Sequence, residues 1–196
     1  MNDTIDARRR ALLKTAAAGA GAALLASAAT ADEGAKAASA VAVPPPGKPG
    51  DFDFLSGEWK IHHRRLKTPD TQDWDEFDGE ATCWSILGGA VSIEELRIPA
   101  RNFSGMGLRV LDVEKKVWSD FWVNARTGVI AAPGVTGHFI NGAGIFESDE
   151  LDGGKPLKVR GVWDRITPRS CRWYQESSRD GGKTWELNWE MAWTRA

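Results

Sequence analysis

Histidine is scarce in this sequence: His62, His63 and His138 are all it has. Three imidazoles without a ligand spacing give no support to a metal centre, and none is expected. Cysteine is scarcer still, with only Cys83 and Cys171. They fall on separate predicted strands and can pair only if their Cα atoms come within about 7 Å; two free, buried thiols are expected. Gly-x-Ser-x-Gly is absent, and Ser104-Gly105 has no strand–turn–helix setting, so a serine nucleophile on an elbow is excluded. No repeat recurs at propeller or solenoid spacing. Past Asp51 nothing sustains a helical period beyond a turn at 51–55.

Tryptophan, by contrast, is abundant: ten residues against a single tyrosine. An indole needs a large apolar slot and a partner for its N–H, so ten of them need a reason. Most stand on residues that alternate like strands. In the last segment Trp185, Leu187, Trp189, Met191 and Trp193 share one face, while Glu186, Asn188 and Glu190 share the other.

The first 31 residues read as an export signal. Arg8-Arg9-Arg10-Ala11-Leu12-Leu13-Lys14 fits the twin-arginine pattern, a weakly hydrophobic Ala/Gly stretch follows, and Ala29-Thr30-Ala31 offers small-x-small cleavage. The stretch is too short and too rich in Ala and Gly for a stable membrane anchor. The expected partner is the twin-arginine export machinery, and the expected destination is the periplasm. Cleavage would remove four basic and two acidic residues, leaving 21 basic and 25 acidic, a net charge of −4. That balance gives no footprint for nucleic acid. Residues 32–50, rich in Ala, Pro and Gly, read as a flexible linker. One domain remains, 51–196.

Within it, period-two segments alternate with turn signals such as Leu87-Gly88-Gly89, Asn141-Gly142, Asp152-Gly153-Gly154 and Asp180-Gly181-Gly182. Strands are predicted over 59–66, 80–86, 91–98, 105–111, 117–124, 137–140, 144–148, 157–163, 171–177 and 185–194. About ten short antiparallel strands favour an all-β, closed up-and-down barrel, which leaves no sheet edge. Ser178-Arg179-Asp180-Gly181-Gly182-Lys183-Thr184-Trp185 fits the Asp-box of sialidase propellers. A propeller needs several copies and here there is one, so Asp180 and Trp185 are assigned to a structural hairpin clip.

At the front, Gly57-Glu58-Trp59 resembles the G-x-W element of lipocalins and other calycins. That resemblance implies that Trp59 closes the barrel floor with Arg195 packed across it. Phe52-Asp53-Phe54-Leu55-Ser56-Gly57-Glu58-Trp59, His62-His63-Arg64-Arg65-Leu66, Ile86-Leu87-Gly88-Gly89 and the closing Asp180–Glu186 and Asn188–Arg195 segments are together similar to a family of calycin-like bacterial proteins known only as a domain of unknown function. The similarity covers essentially all of 51–196 and implies a fold, but no reaction.

Parity with Trp59 sends His63 and Arg65 inward, where they need a carboxylate or a ligand anion; Glu94, Glu95 and Asp120 are the candidates. Trp84, Trp122, Trp173 and Trp189 are the indoles expected to line a cavity, with Asn124 and Gln175 on the faces of Trp122 and Trp173. Trp118 and Trp163 belong to the same pool, shared between cavity and closed core. These residues point to an exported barrel that binds a small aromatic or otherwise ring-containing molecule. Two alternatives stand beside it. One is a periplasmic isomerase, lyase or hydrolase with His63 as general base and Arg65 holding an anionic oxygen. The other is a haem-binding barrel with His138 as axial ligand, since no other cofactor is predicted.

Overall fold

A computed structural model describes residues 45–69, 71–130 and 132–196. The expected export signal, its expected cleavage site and residues 32–44 of the expected linker lie outside the described residues. The rest is a closed barrel of ten antiparallel strands. They are β1 (Gly57–Leu66), β2 (Trp74–Ile86), β3 (Val91–Ile98), β4 (Phe103–Asp112), β5 (Val117–Asn124), β6 (Val135–Ile140), β7 (Ala143–Asp152), β8 (Lys155–Asp164), β9 (Ser170–Ser178) and β10 (Glu186–Arg195). Each pairs with its neighbour in sequence, and β1 pairs with β10 to close the ring. Among the described residues no helix is long and apolar enough to cross a membrane.

The turns follow from residues that tolerate positive φ. Asn141 and Gly142, at φ 52° and 78°, join Ile140 to Ala143 across a two-residue hairpin. Gly153 and Gly154, at 58° and 82°, do the same between Asp152 and Lys155. Both ladders therefore run up to their turns, so β7 and β8 are longer than the sequence pattern suggests. β2 also starts earlier, at Trp74 instead of Glu80. The stretch Trp74–Gly79 is acidic and reads as loop, but its outward carboxylates meet the outward cations of β1. His62 Nδ1 lies 2.9 Å from Asp78, and Arg64 Nε lies 3.1 Å from Glu76. Such exposed pairs contribute little each, but they let a polar sequence serve as strand.

One end of the barrel is shut by the chain that leads into it. A single 3₁₀ turn, Asp53–Leu55, carries Phe52 and Leu55 into the interior. Phe52 meets Trp118 and Phe139 edge-on, at 5.0 and 4.9 Å between centroids. Trp59 Nε1 donates to the Leu55 carbonyl at 2.6 Å. The Arg195 guanidinium lies 4.0 Å above the Trp59 ring and donates to the carbonyls of Ser56 and Phe54. A cation over an indole that also satisfies two carbonyls ties the plug to the start of β1 and the end of β10 at once.

The last residues of the expected linker are part of this structure. Gly47 N–H donates to the Lys116 carbonyl at 2.7 Å and Gly50 N–H to Gly89 at 3.0 Å. A Cβ at Gly47 would stand 2.9 Å from Trp118 Cδ1, so the approach needs glycine. Asp51 then accepts from the Trp118 indole at 3.0 Å. Packing thus begins about four residues before the expected domain start.

The Ser178–Trp185 turn is held by Asp180. Its carboxylate accepts from the backbone N–H of Thr184 (2.9 Å) and of Lys183 (3.0 Å), and from the hydroxyls of Thr184 (2.7 Å) and Ser178 (2.8 Å). The Thr184 amide first, then the hydroxyls, keep the carboxyl well below the usual carboxylate range. Trp185 Nε1 closes the turn on the Gly182 carbonyl, and Arg160 covers its ring at 4.0 Å. Cys83 and Cys171 are free and buried. Burial pushes the Cys171 thiol up to about 12 and the Cys83 thiol further up, which disfavours the thiolate at both.

Candidate functional site

Inside a barrel of this size, what is missing from the inward positions matters as much as what is there. Gly105 and Gly107 on β4 and Gly161 on β8 carry no side chain into the lumen. A Cβ at Gly105 would lie 2.2 Å from the Trp122 ring, and one at Gly161 would lie 3.2 Å from Trp173 Nε1. Indoles from the neighbouring strands therefore lie over bare backbone. What they leave is a cavity of about 80 Å³. Trp122, Trp163, Trp173 and Trp193 supply its apolar wall, and Glu94, Arg109, Asp120 and Gln175 its polar one.

Arg109 is the centre of the polar wall. It is 4% exposed and donates from Nη2 to Glu94 at 2.5 Å, while Nε lies 3.7 Å from Asp120. Its guanidinium also faces the rings of Trp163 at 5.1 Å and Phe52 at 5.3 Å. Burial pulls the Arg109 pKa down, and Glu94 with Asp120 more than reverse that, so the cation persists. Neither Nε nor Nη1 finds a hydrogen-bond acceptor among the described residues, and the same holds for Trp163 Nε1 and Trp193 Nε1. A buried donor left unpaired costs about 1–3 kcal/mol. All three side chains line one cavity.

β5 and β6 are paired only from Trp118↔Gly137 to Asp120↔Val135. Beyond Asp120 that ladder stops, and the chain touches β5 again at the Val123–Ile130 bridge. Asp120, Phe121, Trp122 and Val135, around this interruption, all line the cavity.

The expected site residues divide. Trp122, Trp173 and Gln175 stand in the cavity wall. Trp189 is buried behind it, edge-on to Trp173 at 5.6 Å, with Arg65 over its ring at 4.9 Å. Asn124 is buried at the end of β5, where its Oδ1 accepts from the Arg126 backbone N–H. That is a turn-capping role away from the cavity. Trp84 requires correction. It is 45% exposed, because Ala81 and Cys83 take the inward parity of β2 and leave Trp84 on the outer face.

His63 does point inward, but not into the cavity. Its ring stacks on Phe77 at 4.6 Å and 9°, and its Nδ1 accepts from the Trp189 indole at 3.3 Å. A neutral imidazole has one acceptor nitrogen. Here the Trp189 indole occupies it. The carboxylates expected to answer His63 or Arg65, Glu94 and Asp120, belong instead with Arg109. His138 lies on the outer face of β6, since Gly137 and Phe139 take the inward positions against Phe146 and Phe52. Among the described residues no group of three or more His, Cys, Asp or Glu is arranged to hold a metal ion.

Arg109, Trp163 in its polar role and Trp193 are not among the site residues expected from the sequence. Arg109 was detectable by parity, since it shares its face with Gly105, Gly107 and the buried Leu111. Nor was a bulge expected. The β9–β10 register shifts between Leu187 and Trp189, so Asn188 is extra. Its Oδ1 accepts from Gln175 Nε2 at 2.9 Å, and its Nδ2 donates to Ser177 at 3.3 Å. The strict alternation expected from Trp185 to Trp193 is broken there.

Gln175 also borders a second cavity of about 100 Å³, lined in part by Glu150, Ser177, Glu186 and Asn188. Burial pushes the Glu150 carboxyl up to about 7, partly offset by the Ser148 hydroxyl that donates to it at 3.0 Å. A folded state that prefers the protonated form loses stability as pH rises from about 4.5 through about 7. Glu150→Gln removes that loss. Urea denaturation should find the variant more stable than the parent at pH 8, by on the order of 1 kcal/mol after solvent screening, and no different at pH 4. An equal gain at both pH values would show that Glu150 is not the titrating group.

No family model matches the chain, and no curated protein matches it. Among solved structures it is similar to a crystal structure of a protein of unknown function from the DUF3598 family of Nostoc punctiforme PCC 73102. The TM-score is 0.41 and the identity 11%, over 80% of this chain and 53% of that one. The chain thus spans about half the length of that protein.

Proposed function

We propose that this chain is an exported, calycin-like binding protein that holds a small ring-containing molecule inside its barrel. The observation that carries the reading is the cavity itself. Four indoles and a buried guanidinium converge on it, and three of these five side chains present donors without a partner among the described residues. A few fixed polar groups in an apolar wall are what distinguish a binding pocket from a packing defect. The twin-arginine pattern in the first 31 residues supports delivery to the periplasm in a folded state, and the −4 charge of the mature chain supports a small-molecule partner over nucleic acid.

The test is titration of the purified protein with a panel of small aromatics and sugars, followed by tryptophan emission. A ligand entering the cavity should quench or shift the emission saturably. Trp173→Phe should weaken it several-fold, since part of the stacking surface is gone. A panel that leaves the emission unmoved at every concentration would remove the binding reading.

A further inference from the structure

Given a cavity that binds a ring compound, as proposed above, we infer that its ligand is a neutral molecule presenting a carbonyl-type oxygen to Arg109, Trp163 and Trp193. The chemistry of the wall fixes the class. Arg109 Nη1, Trp163 Nε1 and Trp193 Nε1 are donors only, and none has an acceptor among the described residues. Their complement is an oxygen lone pair. A bare hydrocarbon offers none.

Charge decides between neutral and anionic oxygen. One guanidinium faces two carboxylates, Glu94 at 2.5 Å and Asp120 at 3.7 Å. Arg109 is thus already answered, and a ligand carboxylate would add a third negative charge in a desolvated space. A cation would suit the carboxylates but would leave the three N–H groups facing more donors. A neutral amide satisfies both sides, with its oxygen on the N–H groups and its own N–H towards Asp120. Size sets a further limit. About 80 Å³ is smaller than the roughly 150 Å³ cavity that accepts benzene, so only the oxygen-bearing end of a single-ring molecule fits within it, with the ring lying towards the β5–β6 interruption.

Four probes of one size separate the possibilities: benzamide, benzoate, benzylammonium and toluene, each titrated into the full chain. Isothermal calorimetry gives the affinities. The indole N–H cross-peaks in a ¹⁵N correlation spectrum, assigned by their loss in Trp163→Phe and Trp193→Phe, report the contacts. Benzamide should bind about tenfold tighter than benzoate or toluene, and should move the Trp163 and Trp193 signals more than those of the other indoles. Each Trp→Phe variant should weaken benzamide about fivefold, the worth of one neutral hydrogen bond. Benzoate or benzylammonium binding at least as well as benzamide would overturn the neutral class. Toluene doing so would show that the donors are not used. Both results would leave the cavity a binding site, whereas no response to any probe would remove that reading too.

Discussion

Replacing Arg109 by methionine is expected to cost the fold about 3–5 kcal/mol. The side chain is 4% exposed and stands between Glu94 and Asp120. Methionine fills much of the same volume, so the loss is electrostatic: two carboxylates would share a low-dielectric interior with no counter-charge. The double variant Glu94→Gln/Arg109→Met should recover a large part of it, because the carboxylate held nearest the guanidinium is gone. Urea denaturation of the single and double variants measures both quantities. A loss below about 1 kcal/mol in the single variant would mean that the guanidinium is not a buried counter-charge.

Trp59→Ala comes next, at about 3–5 kcal/mol. The indole is 1% exposed, meets Trp193 edge-on at 5.9 Å and is covered by Arg195. Removing it opens a void under the plug and frees the Leu55 carbonyl that it serves. Trp59→Phe keeps a ring beneath Arg195 and should lose only about 1–2 kcal/mol, for the hydrogen bond and the missing atoms. Equal losses in the two variants would place the stability in the Nε1–Leu55 hydrogen bond alone.

Strand existence was legible because period-two alternation survives in nearly every segment, and glycine pairs at positive φ mark the turns. The clip at Asp180 was legible because its bonds are local, within four residues. The polar centre was not, and the reason is physical. Parity says that Glu94, Arg109 and Asp120 all face inward, but not which charges meet. That depends on register: Glu94 lies across from Gly107, and Arg109 from Asp120. The missing side chain at Gly107 is part of the answer. A Cβ there would stand 3.1 Å from Arg109 Nη2 and 3.2 Å from Glu94 Oε2, so glycine makes room for the pair. Trp84 failed for a related reason. Alternation gives two faces without naming which is inner, and Ala81 with Cys83 proved to be the inner set. Asn188 was hidden because a bulge leaves no mark in composition.

Closure through β1 and β10 also bears on how the molecule is made. Nine of the ten ladders join strands adjacent in the chain, each closable over a short loop. The tenth brings Trp59 opposite Arg195, 136 residues apart, and a flexible loop of that length costs roughly 4 kcal/mol to close beyond the constant term. Only the complete ladder, with Arg195 seated on Trp59 and the Phe54 and Ser56 carbonyls, offsets that entropy. Until it forms, the meander has two bare edges, both rich in alternating apolar residues and open to pairing with another chain. The guanidinium near the C-terminus is therefore a latch. It separates a self-contained ring from an open sheet that would seek its missing strand elsewhere.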